Sequence, residues 1–298
     1  MVAKKFYYGG QAIIEGVMMR GRKTMVTAVR RPGGELAVDA QSLATIYTGR
    51  LRKIPLIRGV IVLIETLALG IKVLLYSANV ALEEEEKKIS GGQIWVLVVV
   101  SLAFAVALFF MAPLFLTKLF DPYIPSSLAF NLIDGLIRLA IFIAYLKLIT
   151  LVPDIRRVFA YHGAEHKAIN AYEDGVPLEV EKVRKYSTAH VRCGTSFLFA
   201  VLIIAIVVFS LIGRPPLGLL VLSRLVLIPV IAALGYEVTH FGARHIKSGL
   251  VRAILAPGLW LQTLTTREPD DGQLEVAVSA LKKVVEVEQL EEANQASV

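Results

Sequence analysis

The stretch Tyr161-His162-Gly163-Ala164-Glu165-His166-Lys167 places two imidazoles and a carboxylate inside one short polar segment of a largely apolar chain. On a helix, positions four apart stand on one face. His162 and His166 can therefore turn two nitrogens toward one divalent ion, while Glu165 reaches a water beside it. Two histidines do not complete such a site, because zinc takes three or four N, O or S donors. Glu173 falls in the same helical sector and is a candidate ligand or base. A second source is His190-Val191-Arg192-Cys193, whose spacing suits two donors on one turn and would give the closed set of structural zinc. A third is Glu237, which would leave one position open. Glu165 would then serve as general base, and Arg244 or Lys167 would hold a developing oxyanion. Each has a plainer alternative: histidines on a wet helix face, a small packed Cys193, a His190 bonded to a backbone carbonyl, an ion pair between Glu237 and Arg244, and an interfacial His245.

The elements that must position these residues belong to an integral membrane protein. With 55% hydrophobic residues over 298 positions, the composition excludes an ordinary soluble domain. Residues 89–117 carry no charge and exceed the roughly 20 residues that cross a hydrocarbon core; 193–213 are likewise charge-free. Two further apolar stretches carry marks, Asp134, Arg138 and Lys147 in 128–152 and Arg224 in 215–236. An arginine at mid-helix costs about 2.5–3.5 kcal/mol, so Arg224 calls for a partner facing the bundle interior. Asp134 is the candidate, read as an architectural pair. Cys193 is the single cysteine, which excludes an intrachain disulfide.

Residues 1–54 hold ten Lys or Arg against Glu15, Glu35 and Asp39, which accounts for the whole +7 of the chain. Residues 153–195 and 237–252 are also basic, whereas the connections near 118–127 and 213–216 are not. By the positive-inside rule, four crossings with both termini in the cytoplasm satisfy every connection. The opening residues lack the apolar run of a secretory signal, so residues 1–54 are expected to stay in the cytoplasm. Residues 55–82 must then cross an even number of times or not at all. Arg58, Glu65, Lys72 and Asn79, seven apart, make one polar stripe that suits an in-plane or re-entrant helix, ended at the water surface by Glu83–Glu86.

The expected fold is thus mainly α, with about four transmembrane helices, one amphipathic or re-entrant helix, a small N-terminal β unit and a cytoplasmic helix-containing loop. In chain order these are a β-rich unit (1–54), the amphipathic helix (55–88), two crossings (89–152), the motif segment (153–195), two crossings (196–236), and an interfacial helix with an acidic tail (237–298). Residues 25–39 read as a hairpin turning at Pro32-Gly33-Gly34, and residues 8–21 as another strand punctuated by glycines. Those glycines are read as bulges and turns, in preference to sites of close backbone approach. Pro153-Asp154 opens and Asp174-Gly175 closes the helix that carries the histidines. Residues 249–262 are apolar but too short to span. Leu274, Val278, Leu281, Val285 and Leu290 give the tail an apolar stripe, expected to pack on its own chain.

Tyr8-Gly9-Gly10-Gln11-Ala12-Ile13-Ile14-Glu15-Gly16-Val17-Met18-Met19-Arg20, the segment 161–167, Asn170-Ala171-Tyr172-Glu173, Arg192-Cys193-Gly194-Thr195-Ser196-Phe197 and Thr265-Thr266-Arg267-Glu268-Pro269 together resemble the YqhQ family of bacterial membrane proteins, nearly end to end. The resemblance implies a multipass protein without an assigned substrate, for which a metal-dependent enzyme has been suggested. The family's customary His-Pro-Arg-Cys appears here as His190-Val191-Arg192-Cys193, which keeps both donors and loses the proline. The His-x-x-Glu-His order is also similar to inverted zinc peptidases, an analogy that covers this motif alone.

The leading expectation is a divalent metal ion, zinc or similar, at the cytoplasmic face, with Glu165 catalytic and His162, His166, Glu173, His190, Cys193 and Glu237 as candidate ligands for a metal-dependent hydrolase. The alternative is a non-enzymatic scaffold or membrane-protein assembly factor with a structural metal, and transport through Asp134 and Arg224 is a third. The expected partners are anionic lipid and a membrane-protein partner or substrate. Nucleic acid is the weaker reading of the +7, because the positive-inside signal already explains it. No oligomeric state is read from the sequence.

Overall fold

Thr24–Arg30 is buried along nearly its whole length, which a strand with one wet face would not be; the sheet it belongs to is covered on both sides. The computed structural model describes residues 8–82, 91–245 and 248–296, so the acidic run 83–86 lies outside the described residues. The elements are β1 (Gly9–Ile13), β2 (Gly16–Arg20), β3 (Thr24–Arg30), β4 (Leu36–Ser42), α1 (Thr45–Thr48), α2 (Ile57–Ala81), α3 (Gly91–Val106), α4 (Ala112–Leu119), α5 (Ser127–Ile149), α6 (Pro153–Glu173), α7 (Val180–Val183), α8 (Gly194–Ile212), α9 (Leu217–Val226), α10 (Ile228–Arg244), α11 (Gly249–Thr265) and α12 (Asp271–Ala296).

The four strands are antiparallel and pair in chain order. Successive side chains point to opposite faces. Val17, Met19, Val26 and Ala28 therefore pack against Tyr161, Ala164 and Ala168 of α6 and Leu274, Ala277 and Leu281 of α12. Ile13, Met18, Met25 and Val29, on the other face, meet Val73 and Val80 of α2. The expected hairpin turns where Gly34 takes φ +90° and donates to the Arg31 carbonyl at 2.9 Å. Residues 9–20 form a second hairpin, not one strand, with Ile13 paired to Gly16 across Ile14 and Glu15. Glu15 has φ +50°, a state non-glycine residues seldom take. Its carboxylate accepts from Arg157 Nε and Nη2, both at 2.6 Å, and from the Tyr161 hydroxyl at 3.2 Å. The turn is thus held by α6, and no local sequence signal announces it. The tail helix lies across the sheet with Leu274, Val278 and Leu281 buried, while Leu290 stays exposed.

Among the described residues, Ile57–Ala81, Trp95–Leu119 and Gly194–Ile212 are long and apolar enough to cross a membrane. Two bent pairs, α5 with α6 at 101° and α9 with α10 at 46°, bring the candidates to as many as five. The span expected as one helix over 215–236 is therefore broken at Leu227, where Pro229 in the first turn of α10 has no backbone N–H to continue α9. One π turn, Ala107–Met111, joins α3 to α4. Arg214 donates to the carbonyls of Ile124 (3.2 Å) and Asp121 (3.0 Å), and Asn131 Nδ2 donates to Gly213 O (2.9 Å). The two charge-poor connections thus meet at one end of the bundle. At the opposite end α5 finishes and α8 begins, beside α6.

Arg58 and Glu65 of the polar stripe of α2 face protein, while Lys72 is exposed. Arg58 pairs with Glu237 of α10, Glu65 with Arg20 and Arg52, and Lys72 donates to Gln41. Ile57, Ile64, Leu67 and Leu74 are exposed. Its amphipathicity departs from that of a surface helix of a soluble protein: Arg58 and Glu65 turn inward while much of its hydrocarbon turns out.

Candidate metal centre

Helix α6 starts with Pro153 in its first turn, where a missing N–H costs nothing, and ends at Asp174 followed by Gly175 at φ +75°. Its buried face includes Ala160, Gly163, Ala164 and Ala168, small residues that let other chain segments cross closely. At Gly163 an added Cβ would lie 2.1 Å from the Arg267 carbonyl oxygen, so only glycine admits the strand of chain leaving α11. Arg267 N donates to Phe159 O at 2.9 Å and fixes that crossing.

The crossing delivers a backbone carbonyl to the first histidine. His162 Nδ1 lies 2.8 Å from Thr265 O, and His166 Nδ1 lies 2.5 Å from Thr188 O. A carbonyl can only accept, so Nδ1 carries the proton on both rings and Nε2 presents its lone pair. Metal-binding histidines are characteristically oriented in this way by the partner of their other nitrogen. The two rings stand 4.4 Å apart between centroids. Cys193 Sγ lies 3.3 Å from His162 Nε2, and one donor atom each from His162, His166 and Cys193 fall within 4.8 Å of one another. Cys193 is also the N-cap of α8, with Thr195 N–H directed at its sulfur at 3.4 Å. His166 and Cys193 are buried and His162 is half-buried, so the cluster is reached from the His162 side.

Glu165 is fully enclosed beside this set. The Gly10 N–H donates to its carboxylate, and an added Cβ at Gly10 would come within 2.8 Å of Glu165 Cγ. The glycine of β1 is thus a site of close approach, where the sequence suggested a bulge or turn. Burial pushes the Glu165 carboxyl above its usual range, opposed by the nearby His162 and His190. Burial likewise lowers His166 and His190 below the usual imidazole range.

Glu173 and Glu237 are engaged elsewhere, whereas the His190 ring stands 5.6 Å from the His166 ring between centroids. Glu173 pairs with Arg192 and approaches His190 Nε2 at 3.7 Å, closing the loop before α8. His190 shares the non-helical loop with Cys193, and its Nε2 faces Arg192 at 3.3 Å. Glu237 is held by Arg58 and by the Leu56 N–H at 3.0 Å, so the third-ligand reading for Glu237 gives way to an ion pair, and its partner is Arg58 rather than Arg244. Lys167, a candidate oxyanion holder, is committed to the Arg184 carbonyl (2.7 Å) and Glu268. Arg244 and His245 are exposed, and His245 stacks on Phe241 with its Nδ1 2.9 Å from that residue's carbonyl.

Two supporting residues lie outside the sequence motifs. Gln262, fully buried in α11, accepts from His190 N (2.9 Å) and donates to His190 O (2.9 Å) and Ser196 Oγ (2.8 Å). A lone carboxamide in an apolar helix is a signal in itself, since it must find partners when buried. Thr265 acts through its carbonyl, which no side-chain pattern reveals.

A family model described as protein of unknown function (DUF1385) matches residues 54–287. The chain is 38% identical to the uncharacterized protein YqhQ of Bacillus subtilis (strain 168), over 97% of this chain and 95% of that one. No solved structure matches. The sequence resemblance, the helical membrane architecture and these matches agree, and the chain belongs to the DUF1385 family of proteins of unknown function.

Proposed function

We propose that the protein binds one divalent ion of the zinc class through His162 Nε2, His166 Nε2 and Cys193 Sγ, and that the centre serves hydrolysis of a peptide or related acyl bond in a membrane-associated substrate. One observation carries the metal reading: both imidazoles commit Nδ1 to a backbone carbonyl, His162 Nε2 lies 3.3 Å from the Cys193 thiol, and a donor atom of His166 falls within 4.8 Å of both. Three protein donors leave a coordination position, as catalytic rather than structural zinc sites do. An ion bound there supplies Lewis acidity toward a carbonyl oxygen. The chain's own contribution is Glu165, which is fixed by Gly10 and lies near His162, as the group that takes and returns the proton.

A scaffold reading has its own support. The donors sit on α6 and at the start of α8, and their carbonyl partners sit in the 184–190 loop and at the end of α11, so an ion would staple these segments. Two experiments separate the readings. Elemental analysis of purified protein should find about one zinc per chain, lost in His162→Ala with His166→Ala; a metal-free wild type with its native melting curve ends both. Glu165→Gln should keep the zinc and let uncleaved membrane-protein substrate accumulate in cells. An unchanged membrane peptide profile in that variant leaves the staple.

The basic bias of residues 1–54 and 153–195 supports placing this centre at the cytoplasmic surface of the cell membrane, beside anionic headgroups, with both termini inside. Helix α2 then lies along that surface. Its first turn pairs with Glu237 and its last turns pack on the sheet, so both its ends stay with the centre's side of the bundle.

A further inference from the structure

The bundle holds a second polar cluster, remote in sequence from the histidines. Arg138 of α5 and Arg224 of α9 are 2% and 0% exposed, and they share one carboxylate. Asp134 Oδ2 accepts from Arg138 Nη2 at 2.8 Å and from Arg224 Nη2 at 3.4 Å, and Asn131 Oδ1 accepts from Arg224 Nη2 at 3.2 Å. Only one nitrogen of each guanidinium is used. Nε and Nη1 of both arginines have no hydrogen-bond partner among the described residues. Their π faces are satisfied: Phe209 lies 3.7 Å from Arg224 Cζ and 5.2 Å from Arg138 Cζ, and Phe110 lies 5.5 Å from Arg138 Cζ. Ring faces stabilise a cation but accept few N–H bonds. Two positive charges against one negative leave a net single positive charge among hydrocarbon, with four donor atoms unsatisfied.

The surrounding backbone is irregular at the same place. Arg224 lies in the last turn of α9, just before the break at Leu227, and Phe110 lies in the π turn Ala107–Met111. Broken helices and π turns within membrane-embedded bundles recur at ligand sites. We infer that Arg138 and Arg224 together form a buried site for a small monovalent anion of the halide class, which accepts the free N–H groups and balances the excess charge. Full burial excludes a lipid headgroup, and the charge balance asks for one negative charge.

The test uses full-length protein in detergent, melted in sodium chloride or bromide against sodium gluconate at equal ionic strength. Wild type should show a saturable rise of a few degrees with halide. Arg224→Gln removes the excess charge and should abolish the halide dependence. Asp134→Asn doubles the excess and should lower the half-saturating halide concentration several-fold. The opposite directions keep the test open if either variant is less stable. Melting that is indifferent to halide in both wild type and Asp134→Asn overturns the assignment and leaves buried water as the partner of these groups.

Discussion

A methyl group at Gly163 probes how the centre is assembled without touching a donor atom. The new Cβ would lie 2.1 Å from Arg267 O and 3.2 Å from Thr188 Cγ2. A carbon and an oxygen in contact need more than about 3 Å, so the backbone at 265–267 must retreat by roughly 1 Å. Being main chain, that oxygen cannot rotate away. Retreat breaks the bonds from His162 Nδ1 to Thr265 O (2.8 Å) and from Arg267 N to Phe159 O (2.9 Å). Overpacking costs about 1–3 kcal/mol and each lost hydrogen bond about 1, offset by roughly 1 from the better helix propensity of alanine. The expected net loss is about 2–4 kcal/mol. Zinc affinity should also fall about 10- to 100-fold as His162 loses its orienting partner. Thermal melting and competition with a chromophoric chelator read the two effects. Gly194→Ala is the control: it adjoins Cys193, and its Cβ would meet nothing within 4 Å. A Gly163→Ala protein with wild-type melting and affinity would refute the account of this crossing.

Gly10→Ala should cost about 1–3 kcal/mol through its clashes with Met18 O and Glu165, while leaving the metal content of the purified protein unchanged, read by melting and elemental analysis together. Asn170 donates to Ser187 O (3.0 Å) and Ala189 O (3.1 Å), so Asn170→Leu should loosen the loop that leads to Cys193 and lower zinc occupancy on dialysis, though it removes no ligand. Glu65 is buried between Arg20 and Arg52, and Glu65→Ala should destabilise by about 3 kcal/mol in denaturant titration because both guanidiniums lose their carboxylate; a loss below about 1 would contradict the pairing. Hydrogen bonds from Arg157 hold the Glu15 carboxyl below its usual range. A depressed carboxylate stabilises the fold above its unfolded pKa, and that contribution disappears as pH falls through the folded value. Arg157→Gln should therefore cost about 0.5–1 kcal/mol at pH 7, modest because the pair is partly exposed, and the difference should close in acid. A pH-independent difference would assign the effect to packing.

What the sequence discloses here follows from how local each interaction is. Helix α6 begins and ends where Pro153 and Gly175 predict, because capping acts over a few residues. The β3–β4 turn is equally local, whereas Glu15 adopts its turn only because Arg157 and Tyr161 reach it from 142 and 146 residues away. The heptad stripe of α2 is plain, but its direction is not, since periodicity reports that charges share a face and says nothing of whether water or Glu237 lies opposite. Of the candidate ligands, His162 and His166 follow from helical spacing. Cys193 and His190 are indistinguishable in the sequence, because they lie in a non-helical loop where spacing does not set direction.

The crowding of polar residues on α6 has two separable causes. His162, His166, Lys167 and Asn170 all contact backbone carbonyls, of Thr265, Thr188, Arg184, and Ser187 with Ala189. These acceptors lie in the irregular 184–190 chain or, for Thr265, at the open C-terminal end of α11, where carbonyls lack helical partners, and buried carbonyls without donors are costly. Much of the motif is therefore accounted for by holding two loops against one helix. That demand explains Nδ1 of each histidine and the amide of Asn170, but it leaves both Nε2 atoms unaccounted for. A purely structural contact would be served equally by asparagine or lysine at 162 and 166, which also donate to carbonyls. Only imidazole donates at one nitrogen while offering a lone pair at another, and here His162 Nε2 meets, with His166 close by, a thiol to which α8 directs its own N–H. The residue type, beyond the spacing, is what points from a stapled loop to a metal ion.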